Sequence, residues 1–432
     1  MKKSKPAAAV IAAAFFCTGC SLFSPAESLL TPPKLSAEQA AVYDALADDV
    51  GTVTPVFPKS GENRSAYLFD DLDGNGINEA AVFYRSTDSG ESAVRLNILT
   101  DDGAWHSVYD CAGGGISVDK VISSPIGSTG KKYIAAGYNL ITPEDRILEL
   151  YSYENGILNT VLSESYSDFA VADLTSDGNS ELVIITGNTA TRTAKAVMFT
   201  DSGNGVTAMS SVELSPSSEG FENITSGKAA ENINALYIDE RNGSGDVFTE
   251  IVYSVGGHLR NPSAVEGSTA AEDTRRPEGY PSVDADGDGI IEIPVTEVCP
   301  GYENAAEKLY ITNWCVLDDY NISRKYTGWY SNQKSWCLMF PGRWEGGLIT
   351  VRIDSVTGAV IFCKYDGTVN ASPELLRINA VRHADSETLA GDGWELIGST
   401  GETDYMVKLA DDTDEPLVLT LTEVKNNFFV LT

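Results

Sequence analysis

Over most of the chain, short runs of Val, Ile, Tyr and Thr alternate with clusters of Gly, Asp, Asn and Ser, the pattern of antiparallel β structure. Residues 181–186 and 308–312 are examples. Helical periodicity is scarce. The exception begins at Ser36-Ala37-Glu38-Gln39, a capping box, and continues through Ala40, Ala41, Tyr43, Ala45 and Leu46 to Gly51, which predicts a helix over 36–50. From about Tyr326 the composition shifts towards aromatics, with Trp329, Tyr330, Trp336, Phe340 and Trp344 in one stretch, followed by strand-like runs at 348–353 and 359–364. The expected organisation is a mainly β chain, with a repeat region over 51–325 and a smaller, mostly β domain over 326–432.

Self-comparison brings out one recurring nine-residue motif, D-x-D-x-[DN]-G-x-x-E. It reads Asp71, Asp73, Asn75, Gly76, Ile77, Glu79; then Asp173, Thr175, Asp177, Gly178, Asn179, Glu181; then Asp284, Asp286, Asp288, Gly289, Ile290, Glu292. The first aspartates are 102 and 111 residues apart, about twice the ~40–50 residues of a four-stranded repeat. Degenerate copies are expected midway, at 125–133 and 237–245, giving about five units.

The motif carries a chemistry. Positions 1, 3 and 5 turn side-chain oxygens to the inside of one tight loop, and glycine at the sixth position permits the positive-φ bend. The position 7 carbonyl (Ile77, Asn179, Ile290) and the position 9 acid complete an all-oxygen shell, the preference of Ca²⁺. The Asp284 loop, with four acids, is expected to fill first. Such an ion would fasten a turn between strands and need have no catalytic role.

These loops resemble the FG-GAP/VCBS repeats of integrin-like β-propellers, a likeness covering about two-thirds of the chain. It implies a β-propeller-like repeat domain with integrin-type Ca²⁺ loops. More narrowly, 32–39, Arg64-Ser65-Ala66 and 340–344 are similar to a group of clostridial lipoproteins, which adds expectations of fold and location.

The N-terminus reads as an export signal. Lys2, Lys3 and Lys5 precede an apolar run at 7–16 that is too short to span a bilayer, and Cys17-Thr18-Gly19-Cys20 resembles a lipobox. The expectation is a signal peptide over 1–19, a lipid on Cys20, and a Ser/Pro-rich tether over 20–35. The body would then be extracytoplasmic, held to the membrane by its lipid and facing outward. Without the signal lysines, 27 basic residues face 62 acidic ones. That balance repels nucleic acid and favours cations. Among the remaining cysteines (Cys111, Cys299, Cys315, Cys337 and Cys363) none has CxxC spacing; buried free thiols and one Cys315–Cys337 disulfide both stay open.

Catalytic motifs are lacking. His106, His258 and His383 form no ligand pattern, and no G-x-S-x-G or P-loop occurs. Cys111 beside Gly113, Gly114 and Gly115 invites a nucleophile reading, but a turn beside a buried thiol is commoner. The expectation is a binding or scaffold module for a glycan or surface protein, not an enzyme, with Trp314–Trp344 as a candidate aromatic platform set against a use in core packing. The alternative is a secreted carbohydrate-active hydrolase or lyase on a propeller scaffold, with an acidic pair in its central channel.

Overall fold

A computed structural model describes residues 35–431 apart from short stretches at 88–92, 143–144, 189–192, 216–219, 265–271, 319–320 and 412–414. The signal, Cys20 and the tether to residue 34 lie outside the described residues. Ser36 caps α1 (Ala37–Val50) with the expected reciprocal pair, its Oγ accepting from the Gln39 N–H at 3.1 Å while Gln39 Oε1 accepts from the Ser36 N–H at 3.0 Å. Gly51 ends the helix at φ 82°.

Everything after α1 is mainly β, in six antiparallel sheets among the described residues. The first holds β1 (Val53–Pro55), β2 (Tyr67–Asp70), β3 (Glu79–Ser86), β4 (Arg95–Asp101) and β5 (Trp105–Ala112). The second is β6 (Ser117–Pro125), β7 (Lys132–Asn139), β8 (Arg146–Glu154) and β9 (Ile157–Ser165). The third is β10 (Asp168–Ala172), β11 (Glu181–Asn188), β12 (Thr193–Asp201) and β13 (Val206–Leu214). The fourth is β14 (Gly220–Ala230), β15 (Ile233–Arg241), β16 (Val247–Val255) and β17 (His258–Arg260).

The fifth contains β18 (Ile293–Val298), β19 (Tyr310–Asp318), β20 (Asn321–Ser331) and β21 (Trp336–Met339). The sixth contains β22 (Ile349–Ile353), β23 (Val360–Lys364) and β24 (Glu374–Arg382), then, beyond α2 (His383–Gly391), β25 (Glu395–Thr400) and β26 (Thr403–Leu409). A last helix, α3 (Leu421–Asn427), returns the chain so that β27 (Phe428–Val430) pairs with β21. β20 runs unbroken across residues 325 and 326, so the fifth sheet draws on both sides of the compositional shift.

The sheets stack face on face in chain order, and the second strands show why their sequences are continuously apolar. In β11, Leu182 and Ile184 pack with Tyr133 and Leu148 of the second sheet, while Val183 and Ile185 pack with Leu236 and Val252 of the fourth. Successive side chains point to opposite faces of a strand, so burial on both faces demands apolar residues at every position. β7 and β15 are shared in the same way between their neighbours. In β3, Ala81 and Phe83 face the second sheet, but Ala80, Val82 and Tyr84 face α1 through Val42 and Leu46. Each fully buried Val, Leu, Ile or Phe among them contributes roughly 1.5–3 kcal/mol.

The aromatic stretch is core. Trp314, Trp329, Trp336 and Trp344 are 0, 5, 1 and 1 % exposed. Trp344 stacks beside Phe340 and Phe362 and donates its indole N–H to the Leu417 carbonyl at 2.7 Å. A sugar-binding face needs exposed rings, so these indoles do not form the aromatic platform that the sequence suggested. Cys315 and Cys337 are buried free thiols, as are Cys299 and Cys363.

Candidate metal loops and an aromatic cleft

The three motif loops fold alike. The first two join the end of one short strand to the start of the next, which the position 9 glutamate opens, Asp70 pairing with Glu79 and Ala172 with Glu181; in the third, Val283 and Glu292 form an isolated antiparallel bridge just before β18. The N–H of the glycine at position 6 (Gly76, Gly178, Gly289) donates to the first aspartate at 3.0, 2.9 and 2.9 Å. The position 7 N–H donates to the position 5 side chain at 2.7, 2.8 and 2.9 Å. The position 2 N–H (Leu72, Leu174, Ala285) reaches back to the glutamate at 2.9, 2.9 and 2.8 Å. Position 4 is left-handed as well, at Gly74, Ser176 and Gly287.

The carboxylates so gathered can hold a metal ion. Oxygens of Asp71, Asp73 and Glu79 lie within 4.8 Å of one another, as do those of Asp173, Asp177 and Glu181, and of Asp284, Asp286 and Glu292. Glu79, Glu181 and Glu292 are buried, and burial pushes all three carboxyls above their ordinary range. Asp71 Oδ1 is buried with no hydrogen-bond partner. A buried oxygen left unpaired costs about 1–3 kcal/mol or more, so the first loop fits a cation. The second fits too, although Thr175 donates its hydroxyl to Glu181 at 3.1 Å. Loop one would use Asp71, Asp73 and Glu79, and loop two Asp173, Asp177 and Glu181.

The third loop differs, because Lys325 Nζ lies 2.7 Å from Asp286, 2.7 Å from Asp288 and 2.8 Å from Glu292. Three of its four acids therefore share one ammonium, which offsets part of their charge, whereas no such ion pair meets the first two loops among the described residues. Nothing in the motif announced Lys325, which comes 33 residues after Glu292.

The degenerate copies part ways. Residues 125–133 do join β6 to β7, and Tyr133 stands where the glutamate would be, its hydroxyl donating to Asp201 at 2.7 Å. Gly127, at φ 72°, sits where an added Cβ would come 2.1 Å from the Asp201 carbonyl oxygen. Residues 237–245 are instead the end of β15 and its turn into β16. Asp239 faces the core there, so the match came from an ordinary hairpin turn.

Other candidates hold no reactive arrangement. Burial pushes the Cys111 thiol up to about 11, which keeps it protonated at neutral pH and a poor nucleophile. His383 engages Asp404 through Nδ1 at 2.7 Å and the Gly401 carbonyl through Nε2 at 2.6 Å, and both its flanks are structural.

A cleft of about 410 Å³ opens between the fifth and sixth sheets, lined by Tyr280, Tyr310, Trp329, Asn332, Lys334 and Asn379 among others. Trp329 Nε1 is buried without a hydrogen-bond partner. Glu278, at the rim, is paired with Arg241 at 3.2 Å.

No protein-family model matches this chain, and no curated protein does. Among solved structures it is similar to the exotype rhamnogalacturonan lyase YesX, at 12% identity and a TM-score of 0.32, covering 74% of this chain and 75% of that one. It is similar also to rhamnogalacturonan lyase YesW (10%, 0.32; 74% and 77% covered) and to a Bacillus licheniformis rhamnogalacturonan lyase (11%, 0.32; 74% and 76%). A likeness at that TM-score carries no argument about fold or chemistry.

Proposed function

We propose that the chain is a Ca²⁺-stabilised, β-propeller-like binding module, anchored through a lipid on Cys20 and displayed outside the cytoplasm. The observation that supports it most is the repeated loop: three sheets hold one hydrogen-bonded turn in one register, and in two of them the carboxylates face no basic side chain among the described residues. Ca²⁺ suits such loops because it accepts irregular all-oxygen shells. The consecutive four-stranded meanders are what propeller blades consist of, with α1 covering the face at which a preceding blade would stack. No helix among the described residues is long and apolar enough to cross a membrane.

The cleft is the place for a ligand, and a glycan is the class it suits. The half-buried Tyr280 and Tyr310 can stack on sugar rings, while Asn332, Asn379 and Lys334 offer polar partners. A glycoside hydrolase would need two carboxylates facing one another; Glu278 is engaged by Arg241, so the cleft favours binding over hydrolysis. On a glycan array the full chain should retain a defined set of glycans, and Asn332→Ala with Lys334→Ala should abolish retention without altering the fold. No retention, or retention unchanged by the cleft variants, contradicts the reading. Metabolic labelling with a fatty acid should mark the wild type and not Cys20→Ala; an unlabelled wild type contradicts the anchor.

A further inference from the structure

We infer that Lys325 is the resident cation of the third loop, closing it without metal, and that it sets how many divalent ions the chain binds. The inference rests on the proposal that the first two loops bind Ca²⁺. Three of the loop's four acids lie within 2.8 Å of the Lys325 ammonium. The remaining one, Asp284, accepts N–H donors from Gly287 at 2.7 Å and Gly289 at 2.9 Å, as Asp173 does from Asp177 and Gly178 in the second loop, so what sets the third loop apart is the ammonium. Glu292 is wholly buried, and its carboxylate would be left without a counter-charge if the ammonium were withdrawn.

The strand that delivers Lys325 is built to do so. In β20, Tyr326 pairs with Trp314 and Arg324 with Cys315, so Lys325 is the extra residue of a β-bulge. Bulges re-aim a side chain out of the regular alternation. The same bulge recurs at the same register in the other two loop-bearing sheets. Ser107 and Tyr109 flank it in β5, and Ala208 and Ser210 flank it in β13. The residues at its apex there are Val108 and Met209, which bring no charge. A shared backbone device thus carries a lysine in one repeat of three, and in that repeat the ammonium sits among the acids.

An ammonium and a divalent ion cannot share one set of oxygens, so the lysine excludes the metal. Lys325→Met keeps the length of the side chain and removes its charge. By calorimetry in Ca²⁺ the wild-type full chain should bind two ions and Lys325→Met three, the added site with an affinity of about 10⁻⁴–10⁻³ M, as extracellular Ca²⁺ modules have. In chelator Lys325→Met should melt below the wild type, and Ca²⁺ should restore it. Three ions on the wild type, or two on both proteins with no difference in chelator, would overturn the role of Lys325 alone. No ion on either protein would overturn the Ca²⁺ reading of the first two loops and the metal exclusion together. If Lys325→Met does not fold, Asp73→Ala with Asp177→Ala decides the matter: with Lys325 intact it should bind no Ca²⁺, and one bound ion would contradict the inference.

Discussion

Replacing Arg276 with methionine should lower the stability of the chain by about 3–5 kcal/mol, the usual cost of leaving one member of a buried ion pair alone. The guanidinium and the Asp239 carboxylate are 0 and 3 % exposed and lie 2.8 Å apart. Arg276 also donates to the Thr249 hydroxyl at 2.8 Å, to the Thr274 carbonyl at 3.1 Å and to the Tyr280 carbonyl at 2.6 Å. Asp239 accepts in turn from Thr249, from the Ser282 hydroxyl and from the Ser282 N–H. This network ties the strand β15 to the segment that leads into the third loop. Without the arginine, Asp239 keeps its neutral donors and loses its counter-charge. Urea denaturation checks the size of the effect. The double variant Arg276→Met with Asp239→Leu should recover part of the loss, since it removes the lone charge but leaves the Ser282 N–H and the Thr274 and Tyr280 carbonyls without these partners. A single variant as stable as the wild type would show that the pair contributes nothing.

The parts of this molecule that were legible in its sequence are those governed by local chemistry. The capping box at Ser36 and Gln39 and the three acidic loops are contained in short windows, and each forms as its residues require. The strand β11 could be read because burial on both faces makes it continuously apolar. What depends on distant register could not be read. Lys325 owes its position to a bulge in a strand far along the chain from Glu292, and no spacing within the motif records that. The Asp239 stretch imitated a loop because Asn242, Gly243, Ser244 and Gly245 suit a hairpin turn as well as a metal loop. The tryptophans marked an interface between sheets, and composition cannot tell a buried aromatic wall from an exposed one.

Loss of the ions proposed for the first two loops should be the largest effect of any change in solution conditions at neutral pH. Binding to the folded state alone raises stability by RT ln(1 + [L]/Kd), roughly 1.4 kcal/mol per site at ten-fold excess over Kd, or about 3 kcal/mol for two sites. Without the ions, Asp71, Asp73 and Glu79, and likewise Asp173, Asp177 and Glu181, hold their negative charges within a few ångströms of one another. Mg²⁺ should substitute poorly, being smaller and stricter about octahedral geometry. The most direct measurement is a thermal melt of the full chain in millimolar Ca²⁺, in Mg²⁺ and in chelator. The midpoint should be highest in Ca²⁺, with Mg²⁺ close to chelator, and Asp73→Ala should reduce the difference by about half. Three coincident melts would mean that the loops are plain Asp/Gly turns and that the acidic clusters hold no ion.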